Sequence, residues 1–294
     1  MTHMDTQTIL FVGSGDLAQR TLAALATPAR CIGLCRHPDR LPPGIEGLAG
    51  DYTRKEAFEN LPALAPDTIL LTLKPDGRDA QAYRRGFLTP VQHLLSALGK
   101  HRPRRVLFVS STRVYSENDG GWVDETAPLT EDDSAAGMIV AAEQALLASG
   151  HPTTLLRCAG LYAGPGCMLM QRIARGELRP SQPVHYSNRV HRDDAAGFIA
   201  WLIDREQQGQ VPMDCYNVVD DAPAAQHEVD RWLASALSVN VEDNDAGMAQ
   251  QGGRGTKRVR NDRLRATGYP LRYPDYRRGY AAALDLHSGQ ESTC

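Results

Sequence analysis

The chain of 294 residues contains no run of about 18 apolar residues, which excludes a membrane-spanning helix. It has no basic excess: 32 Lys and Arg stand against 35 Asp and Glu, a net charge of -3. That balance argues against a general nucleic-acid partner. The six cysteines form no Cys-x-x-Cys pair, and the nine histidines form no His-Glu-x-x-His motif. No metal site is therefore expected. Lysine is scarce, with Lys55, Lys74, Lys100 and Lys257 alone. Met1–Gln7 is polar and leads straight into a strand-like segment, so no signal peptide is expected. Cysteines lying mostly in apolar segments read as free thiols in a reducing cytosol, and a cytoplasmic location is expected.

What is present is an ordinary globular composition, 42% hydrophobic and 23% charged. Short apolar runs alternate with helical segments. Strands are expected at Thr8–Gly13, Arg30–Cys35, a short run ending near Gly50, Thr68–Leu73, Arg105–Ser110, Thr153–Cys158 and Cys215–Val219. Helices are expected near Leu17–Ala26, from about Asp79 to Leu98, and at Ala135–Ala148 and Ala195–Ile203. Near-continuous apolar strands in this alternation imply an α/β fold, a doubly wound parallel sheet covered on both faces. The Gly-, Pro- and Arg-rich stretch Ala163–Arg189 and the chain beyond Asp221 break the pattern and read as a smaller lobe. Asp243–Arg254 reads as a mobile loop. The expected division is a dinucleotide-binding domain over 1–162, to which 190–220 returns, and a substrate lobe with the C-terminal segment over 163–294. Basic residues crowd Arg254–Arg278; this reads as a solvated surface or as a basic wall facing an anion.

The strongest local signal is the segment Ile9-Leu10-Phe11-Val12-Gly13-Ser14-Gly15-Asp16-Leu17-Ala18. It reads as a strand, a glycine turn and a helix start. Gly13 permits the tight turn, Gly15 lets backbone approach a pyrophosphate, Asp16 and Leu17 open the helix, and Ala18 allows close packing. The helix N-terminus offers unpaired N–H groups and the positive end of its dipole to the phosphates. The second strand ends Gly33-Leu34-Cys35-Arg36-His37, without the acidic residue that would hold the ribose hydroxyl of NAD. Arg36 can pair with a 2′-phosphate instead, so NADP is favoured, with NAD possible. Asp51 can accept from the adenine amino group or form a turn. Leu73 and Lys74 end the fourth strand at the cofactor edge, and Ser110 and Ser111 end the fifth.

Taken together, these segments resemble the extended branch of the short-chain dehydrogenases/reductases, the NAD-dependent epimerase/dehydratase family. The resemblance rests on the glycine turn, Ser110-Ser111-Thr112-Arg113-Val114-Tyr115 and Arg157-Cys158-Ala159-Gly160-Leu161-Tyr162-Ala163-Gly164-Pro165-Gly166. Asn188-Arg189-Val190-His191-Arg192-Asp193-Asp194-Ala195-Ala196, Tyr216-Asn217-Val218-Val219-Asp220 and the tail Arg263–Tyr269 extend it over nearly the whole chain. It implies a Rossmann-type sheet, a nicotinamide cofactor, a small-molecule substrate, and a monomer or a homodimer through the helices at Asp79–Leu98 and Ala135–Ala148. It further implies a proton-transferring Tyr, a Lys four residues later and a Ser or Thr that binds the same substrate oxygen. Ser111 matches the last. The other two positions hold Ala136 and Val140, which cannot titrate, and no lysine in the chain has a tyrosine four residues before it. The chain looks like the atypical subgroup that lacks this pair.

Two functions stay open: an oxidoreductase on a small polar substrate, or a non-catalytic module that senses NADP(H). For the enzyme, Ser111 would orient the reacting oxygen. Tyr162, in the loop after the sixth strand, is the first candidate for the acid and Lys74 the second. His191 and Asp193 fall in a segment that borders the substrate pocket in the family.

Overall fold

A computed structural model describes residues 6–164, 167–240 and 256–291. In chain order it contains β1 (Thr8–Val12), α1 (Asp16–Ala24), β2 (Arg30–Cys35), β3 (Ile45–Ala49), α2 (Leu61–Leu64), β4 (Thr68–Leu71) and α3 (Ala80–Tyr83). After α3 come a one-turn π-helical segment (Arg84–Leu88), α4 (Thr89–Leu98), β5 (Arg105–Ser111), β6 (Asp119–Val123), α5 (Ala135–Ala148), β7 (Thr153–Cys158) and β8 (Gly160–Tyr162). The remainder is α6 (Met168–Ala174), β9 (Tyr186–Ser187), β10 (Arg189–His191), α7 (Arg192–Gln207), β11 (Cys215–Val218), β12 (Ala224–Ala225), α8 (Gln226–Ala236), β13 (Thr256–Val259), α9 (Asp262–Ala266) and α10 (Tyr276–Glu291). The loop expected at Asp243–Arg254 lies outside the described residues.

Seven strands form one sheet in the order β11-β7-β5-β4-β1-β2-β3. The pairs β1–β2, β1–β4, β2–β3 and β4–β5 all run parallel. The expected doubly wound α/β sheet is present. The central strands are buried on both faces, as their unbroken apolar runs require: Ile9 to Val12, Ile69 to Leu71 and Val106 to Phe108 are all closed to solvent. Strand order reverses at β1, which has β2 on one side and β4 on the other, so a switch point lies at the carboxyl end of β1.

Two helices, α3 and α5, start at side-chain caps. Asp79 accepts a hydrogen bond from the Ala82 N–H at 2.8 Å and opens α3. Ser134 accepts from the Gly137 N–H at 3.2 Å and opens α5. The stretch expected as one long helix from Asp79 to Leu98 is divided by the π-helical turn at Arg84–Leu88. Gly86 lies within it. A Cβ on Gly86 would come within 2.6 Å of both the Lys74 carbonyl oxygen and the Pro75 Cα, so the helix presses its backbone against the end of β4 there.

Contacts divide the chain into two compact units: Met1–Tyr115, Leu129–Arg157 and Ala196–Tyr216 form the first, and Ser116–Pro128, Cys158–Ala195 and Asn217–Cys294 the second. The second has its own core, built from Tyr162, Met170, Ile173, Val229, Leu233 and Tyr276 among others. It also contains a parallel pair of β6 with β13, for which the sequence pattern carries no signal.

Candidate functional site

The glycine turn occupies the carboxyl end of β1. Gly13 has φ +85°, and a Cβ there would meet the Thr72 carbonyl oxygen at 2.6 Å. Only glycine fits that backbone without strain. Its N–H donates to the Leu34 carbonyl at 3.1 Å, which ties the turn to β2. Gly15 is different. It precedes α1 in extended backbone, and nothing lies within 4 Å of where its Cβ would stand. Packing does not require a glycine at that position. The first helical bond runs from the Gln19 N–H to the Gly15 carbonyl, and no side chain caps the end, so the leading N–H groups of α1 are available to an anion. Asp16 is exposed and pairs with Arg20 at 3.0 Å, whereas Leu17 and Ala18 are buried on the inner face of α1. Ser14 is buried and its hydroxyl donates to the Phe11 carbonyl at 3.3 Å.

Arg36 follows β2 and is exposed. Partial burial opposes charge on the Asp51 carboxyl. Hydrogen bonds to its Oδ1 from the Thr53 N–H at 3.0 Å and hydroxyl at 2.8 Å, with the nearby charges of Arg36 and Arg54, still hold it below the usual carboxylate range. Asp51 therefore forms a turn and faces Arg36. Burial pushes the neighbouring Tyr52 phenol up, against a hydrogen bond from the Lys74 backbone and the charge of Arg36. The strand β4 stops at Leu71, short of the expected end at Leu73; Leu73 is buried and the Lys74 side chain is exposed in the loop that follows. The structure thus brings Arg36, Asp51, Tyr52 and the Lys74 backbone together, beside the strand end where the glycine turn stands.

The end of β5 carries two serines with different surroundings. Ser110 is buried and its hydroxyl donates to Glu143 Oε1 of α5. Glu143 is buried in turn and accepts from Arg157 Nη2 at 2.7 Å and Nε at 3.1 Å. Arg157 Nη1 donates to Tyr115 Oη at 3.2 Å. Burial alone would lower Arg157; the hydrogen bonds and charge of Glu143 override it and hold the guanidinium charged. This network fastens β5, α5 and β7 from within. Ser110 belongs to it, so its hydroxyl is directed to Glu143, and the Tyr115 phenol accepts a hydrogen bond from Arg157.

Ser111 is half-buried, and its Oγ accepts from the Arg113 N–H at 3.2 Å. The hydroxyl proton remains available to a ligand. Arg113 Nη1 donates to Tyr83 Oη of α3 at 2.8 Å, and its guanidinium carbon lies 5.2 Å from the centroid of the same ring. Spacing along one helix cannot reveal that pair, because Tyr83 and Arg113 come from different elements. Ala136 stands in the first turn of α5, and Val140 is buried one turn later.

In the second unit, Tyr162 is enclosed. Its ring packs on Tyr280 at 4.4 Å and edge-on to His191 at 5.3 Å, and its hydroxyl lies where Gly279 of α10 has no side chain. Burial pushes this phenol well above its usual range, and the neighbouring Asp220 adds to the shift. Asp220 itself is pushed up to about 7 by burial, against the nearby Arg189 charge. Among the described residues, Tyr162 Oη, Arg189 Nη1, Asp220 Oδ2 and Tyr276 Oη are buried without a hydrogen-bond partner. His191 Nδ1 accepts from the Asp193 N–H at 3.2 Å. Asp194 accepts from the Arg272 and Tyr273 N–H groups at 2.7 and 2.8 Å. The basic C-terminal stretch is largely paired within this unit. Arg258 and Arg260 lie over Trp122 at 5.0 and 5.3 Å, Arg263 reaches Glu125 at 3.6 Å, and Arg265 reaches Asp221 at 3.7 Å.

A parallel sheet whose first strand ends in a glycine turn at its switch point, followed by a helix with an open N-terminus, defines a dinucleotide-binding α/β protein. The chain belongs to the NAD(P)H-binding family, whose model matches residues 13–206. Protein YeeZ of Escherichia coli K12 is 29% identical over 196 residues, which cover 64% of this chain and 66% of that protein. A Methylobacillus flagellatus structure, given as a candidate NAD-dependent epimerase/dehydratase, is 31% identical with a TM-score of 0.78, over 96% of this chain and 99% of that one. The Streptomyces venezuelae dTDP-glucose 4,6-dehydratase DesIV, in a structure with NAD bound, has a TM-score of 0.74 at 17% identity, over 95% of this chain and 96% of that one. The last likeness is one of fold. The epimerase/dehydratase resemblance read from the motifs is borne out.

Proposed function

We propose that the protein is an NADP(H)-dependent oxidoreductase acting on a small polar carbonyl or alcohol. The observation that carries this reading is Gly15: an open position at the N-terminus of α1 that packing leaves free and that a close-approaching pyrophosphate would fill. The residues present fit the cofactor. Gly13 and Gly15 shape the phosphate cradle, and Asp16 and Leu17 start the helix that presents its N–H groups. Arg36 supports the 2′-phosphorylated form, with Asp51 beside it for the adenine edge. Leu73 and Lys74 line the end of β4.

A bound nicotinamide supplies or takes up a hydride. The protein must then bind the reacting oxygen and provide its proton. Ser111 can hydrogen-bond that oxygen, but a serine hydroxyl is a poor acid near neutral pH. Tyr162, the first candidate for the acid, has an enclosed hydroxyl that burial makes harder to ionise, which favours a packing role. The untitratable Ala136 and Val140 favour the second reading, a non-catalytic NADP(H) sensor.

Calorimetry with NADPH and NADH, followed by a carbonyl panel, tests both readings. Tight NADPH binding with turnover supports the enzyme, and binding without turnover supports the sensor. Binding of neither cofactor refutes both.

A further inference from the structure

An oxidoreductase of this kind still needs a proton donor: a serine hydroxyl is a poor acid, Tyr162 is enclosed, and the Lys74 side chain is exposed to solvent beyond β4. We infer that Tyr83, held by Arg113, is that donor and stands in for the proton-transfer pair missing from α5. The inference rests on the oxidoreductase reading.

The carrying observation is a phenol paired with a permanent cation whose own residue lies two positions along the chain from Ser111. Arg113 Nη1 donates to Tyr83 Oη at 2.8 Å, while the Arg113 backbone N–H donates to Ser111 Oγ at 3.2 Å. One residue thus links the phenol to the serine that would bind the substrate oxygen. Guanidinium stays charged at all working pH values, so it can stabilise a phenolate as the absent lysine would. Tyr83 is half-buried, unlike the enclosed Tyr162.

The position of the phenol is fixed from three sides. Its ring stacks on Phe87 at 5.6 Å, and Phe87 meets Phe108 of β5 edge-on at 6.3 Å. Gly86, three residues on, presses against the Lys74 carbonyl at the end of β4. Both α3 and the π-helical turn pack on α5, the helix that holds Ala136 and Val140. Tyr83, Arg113 and Ser111 therefore gather at the carboxyl ends of β4 and β5, the edge at which such sheets bind ligands. A π-helical turn immediately after Tyr83 agrees with a functional role, since such turns concentrate at functional sites.

The step balances. In reduction of a carbonyl, the carbon receives the hydride of the reduced nicotinamide and the oxygen receives the Tyr83 hydroxyl proton. The tyrosine O–H bond breaks and the alcohol O–H bond forms. The phenolate left beside Arg113 regains its proton from water. Oxidation of the alcohol runs the same transfer backwards.

The test uses the full chain and the variants Tyr83→Phe, Arg113→Lys and Arg113→Met. Tyr83→Phe keeps the ring stack on Phe87, and a melting curve confirms folding. NADPH affinity, by calorimetry, should stay within about threefold of wild type in Tyr83→Phe. With NADPH and DL-glyceraldehyde as the probe, Tyr83→Phe should lower kcat by about 10²–10⁴-fold with little change in KM. Arg113→Lys should retain more activity than Arg113→Met. Independently of turnover, NADP⁺ should protect Tyr83 from acetylation by N-acetylimidazole, read by peptide mass.

Equal kcat in Tyr83→Phe and wild type overturns the inference. So does labelling of Tyr83 that NADP⁺ leaves unchanged, or a wild-type protein that binds NADPH yet fails to reduce the glyceraldehyde. Failure to bind NADPH at all removes the oxidoreductase reading instead.

Discussion

Gly15 and Gly13 are two residues apart: packing and backbone require glycine at 13, and the proposed cofactor requires it at 15. Gly15→Val places a side chain where nothing lies within 4 Å of the Cβ, in backbone that any residue adopts. Valine caps a helix less well than glycine, so folding stability should fall by no more than about 1 kcal/mol. The same side chain occupies the approach of a pyrophosphate to the N–H groups of α1. Each charge-assisted hydrogen bond lost there costs about 1.5–3 kcal/mol. Loss of one, about 1.5–3 kcal/mol, weakens NADPH binding by about 10- to 150-fold. Gly13→Ala reverses the balance. At φ +85° and 2.6 Å from the Thr72 carbonyl oxygen, the added methyl costs at least about 1–3 kcal/mol of folding stability. Urea denaturation and calorimetry on both variants separate the two effects. If Gly15→Val binds NADPH as wild type does, or loses as much stability as Gly13→Ala, the assignment of Gly15 to the ligand is wrong.

Arg36→Ala should reduce the preference for NADPH over NADH in paired calorimetric titrations, and an unchanged ratio would refute the role given to Arg36. Glu143→Ala leaves the buried Arg157 charge uncompensated, so denaturation midpoints should report a loss of about 3–5 kcal/mol; a loss below about 1 kcal/mol would mean that the network contributes little. The Asp220 carboxyl is raised by burial to about 7, so between about pH 4 and 7 the folded state binds more protons than the unfolded chain. Its stabilising contribution is therefore complete at low pH and declines as pH rises, by up to about 1.4 kcal/mol per pH unit. Asp220→Asn should flatten that slope in denaturation series across the window, and an unaltered slope would refute it.

The sheet was legible because buried parallel strands write themselves as unbroken apolar runs. The ends expected for Arg30–Cys35, Ala135–Ala148 and Thr153–Cys158 coincide with those of β2, α5 and β7. At α5 the Ser134 cap sets the N-terminus, a signal contained in the local sequence. The interruption after α3 was not legible. Gly86 looks like a tolerated helical glycine until the Lys74 carbonyl is found against it. The pairing of β6 with β13 left no trace either, since both are short, partly polar and joined only through the tertiary fold. The glycine turn could be read because its residues are neighbours in sequence. Tyr83 and Arg113, separated by 30 positions, meet only once α3 and the end of β5 have been placed. A search for a tyrosine and lysine on one helix passes over such a pair.

Gly279 offers a different lesson, one for protein engineering. A glycine in a long helix is an obvious target for alanine, since the exchange gains about 1 kcal/mol of helix propensity. Here the missing side chain is the space that the Tyr162 hydroxyl occupies, and a methyl group would overlap the phenol oxygen. Overpacking of that kind costs about 1–3 kcal/mol and would cancel the gain. The two positions form one unit of design: a stabilised α10 becomes accessible only with a smaller residue at 162.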